Sequence, residues 1–185
     1  SWMRMGHPAR VILEEEGRAE LLVLGQRGEH AEWMGDMLGS NVERVIRRSA
    51  TPCLVTNDTF RPIRRILVAY DGSGHASQAL HEAIELCGPL EAHLVIVAVN
   101  EDEDTAQAEQ LVQDGLKLAR AHACDASELV CEGYAAEALI ESAREQEADL
   151  VVAGAYGHSR IREMILGSTT LRLIREARVP VMVVR

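Results

Sequence analysis

The chain has 185 residues and a formal charge of −10, with 47% apolar residues and only 3% aromatic ones. That acidic balance argues against a general nucleic-acid surface, which presents a basic footprint, and no apolar run reaches the roughly 18 residues of a membrane span. A core so poor in aromatics must be built from Val, Leu, Ile and Ala, which suits a parallel sheet buried on both faces.

In chain order, the pattern predicts a helix over 8–16, entered after Gly6 with Pro8 in its first turn, then a strand over 21–24. A helix over 40–49 and a strand over 52–56 follow, and turn formers with Pro62 mark 57–62 as a linker. Beyond it, strands over 66–69, 93–99, 127–131, 150–153 and 180–184 alternate with helices over 75–87, 105–123, 135–146 and 169–177. Such alternation implies right-handed crossovers in a parallel sheet, with ligands beyond the carboxyl ends of the strands where strand order reverses. The crevice is expected between the strands at 66–69 and 150–153.

Gly154 and Gly157 follow the apolar strand at 150–153, and after nine intervening residues Gly167, Ser168, Thr169 and Thr170 open a helix. Glycines here are expected to take positive φ and let the backbone approach a ligand. Ser168 reads as the N-cap of a helix whose free N–H groups and dipole attract an anion. Together they form a phosphate cradle, although each glycine alone reads equally well as part of an ordinary loop before a capped helix.

The cradle occurs twice, since Gly25 and Gly28 precede Gly39 and Ser40. Gly6/Gly133, Ala9/Ala136, Arg44/Arg172, Ile46/Ile174, Arg47/Arg175 and Pro52/Pro180 keep a similar offset, so the chain contains an internal duplication. The first copy places ten residues between Gly28 and Gly39, including Glu29, Glu32 and Asp36, where the second places nine, including Arg160, Arg162 and Glu163. Repulsion between like charges leads to the expectation that only the second copy's cradle binds a nucleotide.

These residues resemble the universal stress protein family, whose nucleotide-binding members carry Gly-x2-Gly-x9-Gly-Ser/Thr after the fourth strand. The second copy matches without a gap, and Ile66 to Asp71, with Gly72, Ser73 and Ser77 beyond, supplies the family's strand ending in aspartate. The resemblance implies a complete unit over 61–185 and the last part of another over 1–60, whose opening strands are expected to be missing. It implies a Rossmann-like, doubly wound parallel α/β fold with a five-stranded sheet, and a stress-response regulator that binds ATP or a related adenine nucleotide.

The binding residues so implied are Ala69, Tyr70, Asp71, Ala98, Ala153, Gly154, Gly157, His158, Gly167, Ser168, Thr169 and Thr170. The resemblance also allows Mg²⁺ to accompany the phosphates, with no dedicated protein ligand evident in the sequence. Asp71 would accept hydrogen bonds from adenine or ribose, the plainer alternative being a carboxylate that caps the next helix. The last strands, 52–56 and 180–184, are expected to pair within the chain or between two copies.

Other motifs point elsewhere only weakly. Gly72-Ser-Gly74 would need a third glycine at Ser77 to complete a dinucleotide fingerprint, so a dinucleotide-dependent enzyme ranks below a nucleotide-free dimeric scaffold as the alternative function. No catalytic set is evident, and the acidic run 101–104 reads as a solvated loop at a helix start. Cys53, Cys87, Cys124 and Cys131 show no metal or disulfide spacing, which leads to the expectation of a reducing, cytoplasmic setting.

Overall fold

The computed structural model describes residues 4–26, 38–101, 105–157 and 166–185. Pro8 starts α1 (Pro8–Glu15), which runs on into a short 3-10 turn, and β1 (Leu22–Gly25), α2 (Ser40–Arg48) and β2 (Cys53–Thr56) complete the first segment. After the linker come β3 (Arg65–Ala69), α3 (Gly74–Leu90), β4 (His93–Asn100), α4 (Thr105–Ala121) and β5 (Ala126–Glu132). The chain closes with α5 (Ala135–Glu145), β6 (Leu150–Gly154), α6 (Ser168–Glu176) and β7 (Val181–Val184).

Every predicted element is present, with ends moved by one to three residues. The largest change is in α3, which runs past Cys87 through Gly88 and Pro89. Glu91, in the left-handed region at φ 50°, closes the helix there, and the Ala92 N–H donates back to the Cys87 carbonyl at 3.0 Å.

The strand order is β1-β2-β7-β6-β3-β4-β5. Its last five strands are the expected parallel sheet of the complete unit, but the sheet does not stop at five. β2 pairs antiparallel with β7, setting Cys53 opposite Val183 and Val55 opposite Val181, and β1 adds to β2 in parallel. The internal form of the expected pairing thus joins both segments into one seven-stranded sheet and covers the apolar edge that β7 would otherwise expose.

Alternation along the strands feeds two cores. Leu67, Val95, Val97, Val151 and Val183 face α1, α2, α5 and α6, whereas Ile66, Val68, Leu94, Ile96 and Val152 face α3 and α4. Each such side chain contributes about 1.5–3 kcal/mol when fully buried.

Two of the four free cysteines sit in these cores. Burial pushes the Cys53 thiol up to about 11 and the Cys87 thiol up to about 12, from an ordinary value of 9.0. With the folded value the higher, the stability they contribute is full below pH 9 and is lost as pH rises toward 11 and 12. At pH 8, maleimide should label both at least about tenfold more slowly in the native protein than in the unfolded chain. Equal rates would contradict the burial of these thiols.

Candidate functional site

β3 and β6 lie side by side in parallel, with Ile66 opposite Leu150 and Val68 opposite Val152, at the point where strand order reverses. Beyond their carboxyl ends opens a cavity of about 520 Å³. Ala69, Tyr70 and Asp71 at the end of β3 line it, facing Ala153, Gly154 and Gly157 after β6 and Gly167, Ser168, Thr169 and Thr170 at the start of α6. Ten of the twelve residues expected at a nucleotide site therefore surround one cavity.

Ala98 does not. It is 1% exposed and faces the α3–α4 core, because successive side chains of β4 point to opposite faces; Val97 and Val99 line the cavity instead. His158 lies outside the described residues. So do Gly28 and the charged positions Glu29, Glu32, Asp36, Arg160, Arg162 and Glu163.

Asp71 braces the turn into α3. Its Oδ1 accepts the Ser73 N–H at 2.9 Å, and the Ser73 hydroxyl is the N-cap, accepting the Ala76 N–H at 3.2 Å. Gly72 between them sits at φ 79°, where a Cβ would also meet Leu111 Cδ2 at 2.7 Å. The other carboxylate oxygen of Asp71 faces the glycine loop, so that a Cβ on Gly157 would lie 2.8 Å from it.

The cradle glycines differ from expectation in one respect. Positive φ occurs at Gly6, Gly72 and Gly133 among the described glycines, and not at Gly154, Gly157 or Gly167. Close approach accounts for Gly154, whose Cβ would lie 2.8 Å from the His75 carbonyl carbon and 3.0 Å from the Ala76 nitrogen; this glycine seats β6 against the first turn of α3. At Gly167 a Cβ would make only ordinary contacts, 3.4 Å from the Ala155 oxygen and 3.6 Å from the Thr170 hydroxyl. The fold does not require a glycine there.

Ser168 is also not the cap. Gly167 (φ −56°, ψ 142°) is the N-cap of α6, Ser168 is the first helical residue, and no side chain bonds the helix start. The position is fixed instead by Gly167 N–H donating to the Ala155 carbonyl at 3.0 Å and by the buried Thr170 hydroxyl donating to the Gly154 carbonyl at 2.8 Å. The first-turn N–H groups and the positive end of the α6 dipole are left facing the cavity.

Several lining residues were not anticipated. Val97 and Val99 follow from strand alternation once Ala98 is assigned to the far side, but Gln107 and Leu111 reach the cavity only through the packing of α4. Glu101 lines it too, while its Oε1 accepts the Ala135 N–H at 2.9 Å and so caps α5. Tyr156 stands edge-on to His75, with ring centroids 5.1 Å apart, and the Arg185 guanidinium lies 5.7 Å above its ring. Among the described residues no group of three His, Cys, Asp or Glu side chains is placed to hold a metal ion.

The model of the universal stress protein family matches residues 3–57 and 62–185. The chain belongs to the universal stress protein family. It is 35% identical over 178 residues to the universal stress protein Slr1230 of Synechocystis sp., covering 92% of this chain and 59% of that protein. It therefore spans less than two thirds of the length of that relative. The crystal structure of a universal stress protein from Archaeoglobus fulgidus superposes with a TM-score of 0.80 at 27% identity, over 96% of this chain and 66% of that one. A further universal stress protein, solved in complex with cAMP, shares the fold with a TM-score of 0.58 at 24% identity, over 68% of this chain and 99% of that one.

Proposed function

We propose that this universal stress protein binds ATP or a related adenine nucleotide in the cavity between β3 and β6, as a regulatory ligand in the unit over 61–185. Gly167 carries the reading. A glycine that the fold does not require stands at the start of a nine-residue helix with no side-chain cap, facing a cavity with room for a nucleotide. The α6 N–H groups and the Ser168 and Thr169 hydroxyls are the phosphate donors in this reading. Asp71 accepts from ribose or adenine, and Val97 and Leu111 offer the base an apolar wall. Mg²⁺ enters with the phosphates, and the nucleotide acts as a signal for partner binding or conformation in a reducing, cytoplasmic setting. The relative solved with cAMP supports adenine-nucleotide recognition on this fold.

Calorimetric titration with ATP tests the reading, with an expected stoichiometry of one at this cavity. Gly157→Val forces a branched side chain onto Asp71 and should weaken binding at least about tenfold, whereas Ser168→Ala removes one hydrogen bond, about 1 kcal/mol. Unchanged affinity in Gly157→Val would remove the loop from the site. Absence of any nucleotide in heat-released extracts, together with no response to ATP, would favour a nucleotide-free scaffold.

A further inference from the structure

The duplication lets one half of the chain be read against the other. Gly6 and Gly133, both at positive φ, and the helix entries His7 (φ −70°, ψ 124°) and Tyr134 (φ −74°, ψ 131°) align α1 with α5 residue for residue. Gly39 (φ −57°, ψ 131°) and Gly167 do the same for α2 and α6. In the second pair of helices Arg172 is held between carboxylates. It bonds Glu137 of α5, and its Nε and Nη2 reach the two oxygens of Glu176 at 3.1 Å each.

In the first pair both aligned carboxylates are arginines, Arg10 in place of Glu137 and Arg48 in place of Glu176. Arg44, aligned with Arg172, meets His7 instead, with Nη1 3.0 Å from Nε2. Arg10 pairs along its own helix with Glu14 at 2.8 Å, and among the described residues no carboxylate pairs with Arg44 or Arg48. Arg10, Arg44, Arg48 and His7 surround a groove of about 420 Å³ whose floor includes Ala9 and Leu13, and Glu14, the partner of Arg10, lines it as well, leaving Arg44 and Arg48 as the cations in excess.

A neutralised surface cluster in one copy has thus become a cationic groove in the other, on a chain whose formal charge is −10. Guanidinium forks match phosphate oxygens two at a time, and an apolar floor supports their stems while the charged ends converge. The volume falls within the range of small-molecule sites, about 300–1,000 Å³. We propose that the α1–α2 groove is a second ligand site, taking a small molecule with clustered phosphates, separate from the cavity between β3 and β6. Arg10, Arg44 and Arg48 bind the phosphates, and His7 holds Arg44 in place.

The experiment is a calorimetric titration with inorganic pyrophosphate at constant ionic strength, on the chain and on its R10E/R48E variant. That variant copies the arrangement around Arg172, so the helices keep a packing the protein already uses. Pyrophosphate drawn to the start of α6 is common to both proteins, and the difference between them reads the groove alone. In the variant, pyrophosphate affinity at the groove is expected to be lower by at least about tenfold, with ATP affinity at the cavity between β3 and β6 unchanged. Arg48→Gln, at an exposed position, gives the same reading at about threefold should the double variant fail to fold. Identical pyrophosphate isotherms for the chain and its variants overturn the proposal. A response to polyglutamate with none to pyrophosphate also overturns it, by making the groove a surface for acidic protein.

Discussion

Val183→Asp is expected to lower the urea midpoint by at least about a fifth, and to abolish cooperative folding if the total stability is near about 5 kcal/mol. Val183 is 3% exposed, lies opposite Cys53 across the antiparallel junction and opposite Ala153 on its other side, and packs into the core beneath α2, α5 and α6. Among the described residues no basic side chain lies in that core to pair with a carboxylate. An uncompensated buried charge costs about 3–5 kcal/mol, out of a total stability of roughly 5–15 kcal/mol. The damage is focused on the seam between β2 and β7, so amide exchange should accelerate first over 53–56 and 181–184. A wild-type urea midpoint would mean that the seam is not part of the cooperative unit.

The second large effect is expected at Gly154. In Gly154→Ala the new methyl lies within 3.0 Å of backbone atoms of His75 and Ala76, so the first turn of α3 must move. Overpacking of this kind costs about 1–3 kcal/mol, more than the roughly 0.4–1 kcal/mol gained from a stiffer unfolded chain. The displaced turn also carries the Ser73 cap and the Asp71 bracing bond, so nucleotide affinity falls with stability. Gly167→Ala makes the contrast: its methyl meets only ordinary contacts, so the melting temperature should hold while ATP binding drops. Thermal melts and ATP titrations of the two variants separate a glycine kept for packing from one kept for the ligand. Equal melting temperatures for Gly154→Ala and the parent would refute the packing role.

Most of the architecture is legible in the sequence because its signals are local. Apolar runs of four to eight residues with turn formers between them locate the strands, and Gly154, Gly157 and Gly167 sit where the strand order later reverses. What the sequence hides is mostly a matter of direction. Ala98 and its neighbours Val97 and Val99 are all small and apolar, so nothing in the letters says which points at the cavity. Ser168 looks like a cap because serine favours that position, yet the residue before it already has the extended conformation a cap needs. Leu111 and Gln107 become cavity residues only once α4 folds back over β4, a tertiary event without a local signature. The seven-stranded sheet is similarly non-local, since it depends on two strands more than 120 positions apart pairing in reverse.

Because β2 and β7 run in opposite directions, the carboxyl ends of the strands in the two segments face opposite edges of the shared sheet. α6 crosses that distance. It begins at the cavity and, nine residues or about 13 Å later, ends where Gln26, directly after β1, donates through Nε2 to the carbonyls of Ile174 and Arg175 at 2.7 and 3.2 Å. Arg185 makes the return link, donating to the Arg47 carbonyl at 3.3 Å while lying over Tyr156 at the cavity wall. The helix is a tie-rod with one end at the mouth of the cavity and the other bonded to the residue that follows β1.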